Sequence, residues 1–446
     1  SAECRDYTKL AFELSEQFDT PFLLRLSTRI SHSRSLVEPH EREERPLMEY
    51  QKNPMKNVMM PAMAKVRHVD VEKRMDALRQ YAETSGINTV EYNDRRIGII
   101  AAGTTYTYAK EALGERASYL KLGMVNPLPV NLILEFARNV GQVYVIEELD
   151  DIIETHCLKH GIPVIGKLLF SSCGEFSQAT VREALMGEEK KHAQFDGTIP
   201  ARPPVLCAGC PHRGLFYALK KCKVYVSGDI GCYTLGASAP LSAIDVCVCM
   251  GASIGMALGL EKARGRDFAK KTVAVIGDST FVHSGITGLV DMVYNQGHST
   301  VIIVDNSTTG MTGHQPNPTT GFNVRGEIAP QLDVVKLCEA IGVPSVRVVD
   351  PFNMKELEQT IMEESEKDVP SVIIARRPCA LLVKKKTAPC AINTDKCRKC
   401  GMCMKIGCPA ILKAENGQVS IDASLCNGCG LCKEMCHFGA IEGGER

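Results

Sequence analysis

Two runs of cysteine near the C-terminus carry the clearest chemical signal in this sequence. Each run separates three cysteines by two residues and adds a fourth shortly after, at Cys397, Cys400, Cys403, Cys408 and at Cys426, Cys429, Cys432, Cys436. This spacing is typical of domains with two [4Fe-4S] clusters, in which the fourth cysteine of a run binds the cluster of the other run. We therefore predict one cluster on Cys397, Cys400, Cys403 and Cys436, and another on Cys408, Cys426, Cys429 and Cys432.

These runs depart from the usual bacterial pattern in two places. Four residues instead of three precede Cys408, and His437 follows the second run where proline is common. Structural zinc and disulfides are the alternative uses of such thiols, but this repeated spacing favours clusters. An electron carrier fused to a longer chain indicates that redox chemistry takes place elsewhere in the molecule.

A second group of polar residues follows two apolar segments in the middle of the chain. Asp278 comes directly after the run 274–277, and Asn306 closely follows the run 301–304. A strand–helix–strand unit brings both strand ends to one edge of a parallel sheet, where the two side chains could offer oxygen ligands to one Mg²⁺. Phosphate oxygens would suit the backbone N–H groups at the start of the next helix, around Gly277, Ser279 and Thr280.

This arrangement resembles the thiamine-diphosphate motif, although Ser279 replaces its second glycine and Asp305 its first asparagine. The resemblance implies that the backbone carbonyl of Thr308 completes the Mg²⁺ ligands. The segment 309–315 is similar to the loop that closes over the cofactor in ferredoxin-linked 2-oxoacid oxidoreductases. That similarity implies cofactor contacts from Gly310, Met311 and Thr312.

A third group of cysteines precedes and follows these segments. Cys207 and Cys210 form a Cys-x2-Cys pair, Cys232 lies in a glycine-rich turn, and Cys379 follows the last predicted strand. This order resembles the proximal cluster of pyruvate and 2-oxoglutarate ferredoxin oxidoreductases, which implies a third [4Fe-4S] cluster on these four residues. The alternative is that the pair caps a helix and the others are buried thiols, the usual state of free cysteine. The remaining cysteines in apolar stretches are predicted to be core: Cys222, Cys247, Cys249 and Cys338.

The hydrophobic pattern predicts the elements that position these residues. Continuous apolar runs of the kind found in parallel sheets begin near residues 224, 246, 273, 301, 346 and 372. These runs predict an α/β fold, and the resemblances above imply a thiamine-diphosphate-binding parallel-sheet domain, a smaller α/β domain and a C-terminal α+β two-cluster ferredoxin domain. The predicted boundaries are 1–34 (tail of an upstream pyrimidine-binding α/β domain), 35–94 (linker), 95–170 (small transketolase-C-terminal-like α/β domain), 171–203 (connector), 204–389 (thiamine-diphosphate and Mg²⁺ domain) and 390–446 (ferredoxin domain).

Composition narrows the functional classes. The sequence has 52 basic and 52 acidic residues, a balance that argues against a nucleic-acid-binding surface. No apolar run approaches the roughly 20 residues that span a bilayer, and no signal peptide opens the chain. Twenty cysteines without a secretory signal favour metal binding in the cytoplasm over a disulfide scaffold.

Taken together, the motifs resemble the large subunit of indolepyruvate ferredoxin oxidoreductase, within the 2-oxoacid:ferredoxin oxidoreductases. The similarity extends to the segments 28–34 and 145–149. It implies oxidative decarboxylation of aryl 2-oxoacids such as indolepyruvate or phenylpyruvate with CoA, giving acyl-CoA, CO2 and reduced ferredoxin. It also implies a smaller beta subunit, and a pyrimidine-binding domain with the activating glutamate, supplied by a longer chain or a companion chain.

Three alternatives stay open. A non-oxidative thiamine enzyme would keep Asp278 and Asn306 but has no use for the ferredoxin cysteines. A non-catalytic ferredoxin-type electron-transfer subunit would keep the cysteines but bind no thiamine diphosphate. A related 2-oxoacid:ferredoxin oxidoreductase with a branched-chain, pyruvate or phenylglyoxylate substrate would show the same motifs.

Overall fold

The computed structural model describes residues 1–47, 49–189, 196–199, 202–383 and 387–444. The chain divides into two compact units, Ser1–Thr198 and Ile199–Arg446. In the described residues, no helix combines the length and the apolar character needed to cross a membrane.

The first unit is built on a four-stranded sheet with the order β1-β3-β2-β4. Its strands are β1 (Thr89–Glu91), β2 (Ile97–Ala102), β3 (Ser118–Leu122) and β4 (Gln142–Ile146). Strand β2 runs parallel to β3 and β4, whereas β1 is an antiparallel edge strand. Ile99 and Ile100 enter different core clusters on the two faces of the sheet, as expected for a strand covered on both sides. Its helices are α1 (Ala2–Phe18), α2 (Thr28–His32), α3 (Pro54–Asn57), α4 (Pro61–Thr84), α5 (Thr104–Leu113), α6 (Val130–Arg138), α7 (Ile152–Lys159) and α8 (Gln178–Met186).

The sequence predictions for this unit need three corrections. The predicted linker 35–94 contains the long helix α4, which buries Leu78 and Ala82, and it also supplies β1. The apolar run 21–26 predicts a buried strand, but it is not a strand in the structure, and Leu23 in it is 95% exposed. The apolar run 163–165 also predicts a strand, but it forms only a single bridge, between Ile165 and Tyr144. Apolar character alone therefore overestimated strand content where no partner strand exists.

The second unit contains a six-stranded parallel sheet in the order β6-β5-β7-β8-β10-β9. Its strands are β5 (Tyr225–Gly228), β6 (Val246–Cys247), β7 (Thr272–Gly277), β8 (Thr300–Asp305), β9 (Ser345–Val349) and β10 (Ser371–Arg376). All six were predicted from their apolar runs, and the parallel sheet is confirmed. Alternate residues of β7 explain those runs, because Val275 enters the core on one face and Ile276 the core on the other.

Helices cover both faces of this sheet. The helices of the second unit are α9 (His212–Cys222), α10 (Ser253–Arg264), α11 (Arg266–Ala269), α12 (Asp278–Thr280), α13 (Ile286–Tyr294), α14 (Val334–Ile341), α15 (Met354–Ser365) and α16 (Leu431–Glu434). Helices α9 and α15 contribute to the core on one face, and α10, α13 and α14 to the core on the other. A π-helical turn, Phe281–Gly285, joins α12 to α13 directly after the Gly-Asp turn. Such turns are rare and are frequently found at functional sites.

The C-terminal module consists of two small antiparallel sheets. Strands β11 (Ala391–Ile392) and β14 (Ile441–Glu442) form one, and β12 (Ile411–Lys413) and β13 (Val419–Ile421) form the other. The second is a hairpin, which the Asn416-Gly417 pair between two apolar segments predicts, and Gly417 has positive φ in its turn. Ile406 and Leu431 of the module belong to the same hydrophobic cluster as Leu215 of α9, so the module packs directly on the parallel-sheet domain.

Candidate functional site

The site lies where four neighbouring strands of the six-stranded sheet end. Strands β5, β7, β8 and β10 are adjacent in the sheet, and the predicted site residues follow their carboxyl ends: Cys232, Asp278, Asn306 and Cys379. Gly277 of β7 pairs with Val304 of β8, and Arg376 of β10 pairs with Asp305 of β8. The sheet therefore brings residues more than one hundred positions apart in sequence to one edge, where ligands bind in open α/β sheets.

Asp278 is a buried carboxylate with few partners. Its side chain is 2% exposed, and its Oδ1 accepts the N–H of Ser279 at 2.8 Å. Its Oδ2 accepts a long hydrogen bond, 3.4 Å, from the hydroxyl of Thr319, and the side chain of Asn317 is a further hydrogen-bond partner of the carboxylate. Burial raises the pKa of Asp278 to about 7, and the nearby Asp305 carboxylate adds to this effect. Since no basic side chain among the described residues forms an ion pair with it, Asp278 fits a ligand of a bound cation.

Asn306 lies at the same edge of the sheet, and its side chain contacts Thr308 and His212. Its Oδ1 accepts the N–H of Thr308 at 3.3 Å, and its Nδ2 lies 3.4 Å from Nε2 of His212. Burial lowers the pKa of His212 to about 4, so this imidazole is neutral at physiological pH. Asp305 is turned to the other side, where its carboxylate pairs with Arg376 at 2.7 Å. Of the two residues, Asn306 is therefore the one available to a ligand at this edge.

The loop after β8 closes over Ser279. The hydroxyl of Thr309 donates to Ser279 Oγ at 2.8 Å, and the N–H of Thr309 donates to the carbonyl of Gln315 at 3.1 Å. The predicted contact residues Gly310, Met311 and Thr312 lie in this loop, and the Met311 side chain is 52% exposed. A Cβ added at Gly310 would lie 3.5 Å from the sulfur of Cys232, so the loop passes close to the cysteine group.

Four cysteines gather beside these residues. Burial raises the pKa of Cys210 to about 12, with the thiols of Cys207 and Cys379 adding to the shift. Burial also raises the pKa of Cys232, and the same two thiols, Cys379 and Cys207, contribute. Each thiol thus lies within electrostatic reach of two others in the group. The four cysteines predicted to hold the third cluster are brought together by the fold, from the Cys-x2-Cys turn, the turn after β5 and the segment after β10.

One backbone hydrogen bond joins the two groups of residues. The N–H of Cys379 donates to the carbonyl of Asn306 at 2.9 Å. The sulfur of Cys379 is also 3.9 Å from Nε2 of His314, in the loop after β8. The carboxyl end of β10 therefore places a cysteine directly against the turn that carries Asn306.

The ferredoxin cysteines are arranged in the two predicted sets. Burial raises the pKa of Cys403, and the thiols of Cys400, Cys436 and Cys397 add to this effect. Burial likewise raises the pKa of Cys429, and the thiols of Cys408, Cys390 and Cys426 contribute. Cys408, Cys426, Cys429 and Cys432 also line one cavity. The fourth cysteine of each run therefore faces the other run, an arrangement that fits two cubane clusters.

No three His, Cys, Asp or Glu side chains in the described ranges come close enough to hold a single metal ion. The thiolates of a cubane bind separate iron atoms of one cluster, so their sulfurs need not converge on a single point. The gathered cysteines and the cavity that they line fit a cluster better than a lone zinc ion, which needs four ligands around one centre.

Sequence reasoning missed Arg213, a buried arginine between the two groups of cysteines. Its Nε donates to the carbonyl of Cys207 at 2.9 Å, and its Nη1 donates to the carbonyl of Ile406 in the ferredoxin module at 3.0 Å. The thiols nearest to its charge belong to both groups: Cys408, Cys210, Cys207 and Cys429. The sequence gives one signal, an arginine three residues after Cys210 of the Cys-x2-Cys pair, but it does not reveal the contact with Ile406.

Comparison with known proteins identifies two matching domain families and several similar proteins. The family model of the thiamine pyrophosphate enzyme C-terminal TPP binding domain matches residues 229–375, and that of the 4Fe-4S binding domain matches residues 419–442. Indolepyruvate oxidoreductase subunit IorA of Archaeoglobus fulgidus is 36% identical over 442 residues, covering 92% of this chain and 70% of that protein. The IorA subunits of Methanothermobacter marburgensis and Pyrococcus abyssi, at 36% and 35% identity, show the same coverage.

The chain belongs to the IorA family of indolepyruvate oxidoreductase subunits. The family resemblance predicted from the motifs is confirmed, and with it the assignment of the chain to the oxidoreductases. Among solved structures, a 2-oxoglutarate:ferredoxin oxidoreductase from Magnetococcus marinus aligns over 40% of this chain and 66% of that chain. Its TM-score of 0.34 and identity of 17% are too low to support any conclusion.

Further residues of this IorA-family chain were missed or misassigned from sequence. Asp229, fully buried after β5, accepts three backbone N–H groups, from Ile230, Gly251 and Ser253. Its signal was visible, because Gly228-Asp229 repeats the Gly-Asp turn that ends β7. Thr319, which donates to Asp278, lies in an irregular loop with no pattern to identify it. Among the cysteines predicted as core, Cys338 is buried and Cys222 is partly buried, but Cys247 and Cys249 are exposed.

Proposed function

We propose that this chain is the cofactor-bearing subunit of an enzyme that oxidatively decarboxylates aryl 2-oxoacids with CoA. Indolepyruvate and phenylpyruvate are the proposed substrates, and acyl-CoA, CO2 and reduced ferredoxin the proposed products. The relatives are named indolepyruvate oxidoreductase subunits, which supports the substrate class, and the thiamine and 4Fe-4S domain matches support the chemistry.

The observation that carries this proposal is the hydrogen bond from the Cys379 N–H to the Asn306 carbonyl. It supports a position for the four-cysteine group beside the residues proposed to hold Mg²⁺ and thiamine diphosphate. A non-oxidative thiamine enzyme needs no electron acceptor there, and an electron-transfer subunit needs no buried carboxylate such as Asp278. Only an oxidative thiamine enzyme uses both features at one sheet edge.

The proposed roles follow from position. Asp278 and Asn306 offer side-chain oxygens to Mg²⁺, together with the carbonyl of Thr308. The N–H groups that begin α12, around Gly277, Ser279 and Thr280, are suited to the diphosphate. Bound thiamine diphosphate would supply the electron sink that decarboxylation of a 2-oxoacid requires. Gly310, Met311 and Thr312 form the loop beside the cofactor site, and the neutral His212 holds the Asn306 amide.

The three groups of cysteines are proposed to hold three [4Fe-4S] clusters. Cys207, Cys210, Cys232 and Cys379 hold the one beside the thiamine site, and the two sets of the C-terminal module hold the others. Electrons leave through the module to external ferredoxin. We also propose a smaller beta subunit as partner and a cytoplasmic location for the assembled enzyme.

An anaerobic assay of the assembled enzyme that contains this chain tests the proposal. Viologen reduction should require 2-oxoacid and CoA, with indolepyruvate or phenylpyruvate preferred over pyruvate, branched-chain 2-oxoacids and phenylglyoxylate. Asp278→Ala should abolish activity and thiamine binding while leaving the iron and sulfide content unchanged. Retained activity in that variant would refute the proposed Mg²⁺ site, and a preference for another 2-oxoacid would refute the substrate assignment.

A further inference from the structure

A fifth cysteine lies in the cavity of the second ferredoxin cluster. Cys390 is 3% exposed and lines this cavity together with Cys408, Cys426, Cys429 and Cys432. Its sulfur lies 3.9 Å from the carbonyl oxygen of Gly443, and its side chain is also hydrogen-bonded to the sulfurs of Cys432 and Cys426. Its backbone N–H donates to the Cys426 sulfur at 3.4 Å. Cys390 precedes both cysteine runs and belongs to neither, so the cysteine spacing does not assign it as a cluster ligand.

Tight backbone contacts fix the segment that carries Cys390. A Cβ at Gly428 would lie 2.5 Å from the carbonyl oxygen of Ala388, and one at Gly443 would lie 2.7 Å from that of Pro389. A Cβ at Gly444 would meet the sulfur of Cys390 itself at 2.7 Å. These three glycines have positive φ, so a larger residue would be strained there even without the close approach. The fold is therefore built to hold the Cys390 sulfur inside the cavity.

The two cluster sets differ in this respect. Around Cys403 of the first set, the thiols that contribute to its electrostatic environment are its three predicted partners, Cys397, Cys400 and Cys436. Around Cys429 of the second set, Cys390 is present in addition to Cys408 and Cys426. Among the described residues, the fifth thiol therefore lies beside the second site.

We propose that Cys390 is a reserve ligand of the second ferredoxin cluster. With the four resident cysteines bound to iron, its thiol donates an S–H hydrogen bond to the Cys432 sulfur. When the Cys432 sulfur is absent, the Cys390 sulfur binds the vacated iron and its proton is released to solvent, with no change in oxidation state. Because hydrogen bonds to cluster sulfurs help to set reduction potential, this contact also raises the potential of the second cluster relative to a site without it. The inference rests on the proposed cluster binding by the C-terminal module.

Four variants of the full chain test this, each purified and reconstituted without oxygen: Cys390→Ala, Cys432→Ala, the double variant and Cys338→Ala. Cys338 is a matched control, since it is a buried thiol in the core on the other face of the large sheet. Iron and sulfide per chain report ligation, EPR-monitored redox titration reports the cluster potentials, and circular dichroism reports folding.

Cys432→Ala should keep the iron content of the parent chain, whereas the double variant should lose roughly four irons per chain, one cluster. Cys390→Ala should keep its iron but show a more negative potential for one cluster, with Cys338→Ala unchanged in both respects. Iron loss in Cys432→Ala, iron loss in Cys390→Ala alone, or an unshifted potential in Cys390→Ala would each overturn the inference. If the parent chain itself incorporates no iron, the proposed function and the inference both fail. If the parent chain binds iron but the variants behave otherwise than expected, the inference alone fails.

Discussion

Replacing Asp278 by Asn should stabilise the magnesium-free protein while abolishing its proposed function. Burial raises the pKa of Asp278 to about 7, against an ordinary value of 3.8. Between these values the folded state holds a proton that the unfolded chain has lost, so this group lowers stability as pH rises through that window. The difference is roughly three pH units at about 1.36 kcal/mol each, which gives a penalty on the order of 4 kcal/mol at pH 8. Asn has the same shape and cannot ionise, so the variant escapes this penalty.

Thermal melting of chelator-treated, cluster-loaded protein from pH 5 to pH 8 measures the effect. At pH 8 the Asp278→Asn variant should melt roughly 10 °C above the parent, because 1 kcal/mol corresponds to about 2–4 °C in a unit of this size. At pH 5 the advantage should shrink to about 2 kcal/mol or less, since most of the window lies above that pH. Mg²⁺ with thiamine diphosphate should narrow the gap at pH 8 and reverse the order at pH 5, because at 100 times its Kd a ligand adds about 2.7 kcal/mol to the parent alone.

Asp229→Asn is the matched control for this prediction. Asp229 is also buried after a Gly-Asp turn, but both of its oxygens already accept backbone N–H groups. An amide there would place its own N–H₂ against a donor, so this variant should be less stable than the parent at every pH, by about 1–3 kcal/mol. If the Asp278→Asn variant melts at or below the parent at pH 8, or if its advantage does not grow with pH, the argument is wrong.

Three further predictions concern the neighbours of the site. Thr319→Val removes the hydroxyl that donates to Asp278, so Mg²⁺ titration of thiamine diphosphate binding should show an affinity lower by about 5- to 10-fold, from roughly 1 kcal/mol for one hydrogen bond. Cys379→Ala should lose roughly four irons per chain in colorimetric iron assays but still bind thiamine diphosphate, whereas equal iron content would contradict the third cluster. Arg213→Gln removes a positive charge between two cysteine groups and should shift the potentials of both flanking clusters negative in redox titration, whereas Arg213→Lys should shift them less.

The fold of the second unit could be predicted because each signal was local. A strand buried on both faces must be apolar throughout, so Val273–Ile276 and Val301–Val304 identify β7 and β8. The cysteine spacing is equally local, since three ligands of each ferredoxin cluster come from one short loop. The carboxyl-edge position of Asp278 and Asn306 followed from the strand–helix–strand order alone. These signals need no knowledge of the rest of the chain.

The contacts that the sequence did not predict all join distant segments. Arg213 donates to the carbonyl of Ile406, 193 positions away, and Thr319 donates to Asp278 from a loop of no regular structure. Cys390 is placed by the close approach of Gly428 and Gly444, whose need for glycine depends on what lies against them. In the first unit, helix α4 was predicted as linker because its charged, Met-rich sequence has weak periodicity and buries little beyond Leu78 and Ala82.

The two Gly-Asp turns show why a motif needs its surroundings before it can be assigned a role. Asp229 and Asp278 both follow a buried strand of the same sheet, and both are almost completely buried. The carboxylate oxygens of Asp229 accept hydrogen bonds from three backbone N–H groups at 2.7–3.0 Å, and these bonds order the turn before α10. Asp278 accepts one such N–H, one long hydroxyl contact and a side-chain hydrogen bond from Asn317, and no ion pair among the described residues compensates its charge. A buried carboxylate whose charge is poorly compensated is costly, so the position of Asp278 at the sheet edge indicates a ligand of a bound cation. The hydrogen bonds that each carboxylate accepts therefore distinguish the structural Asp229 from the cation ligand Asp278.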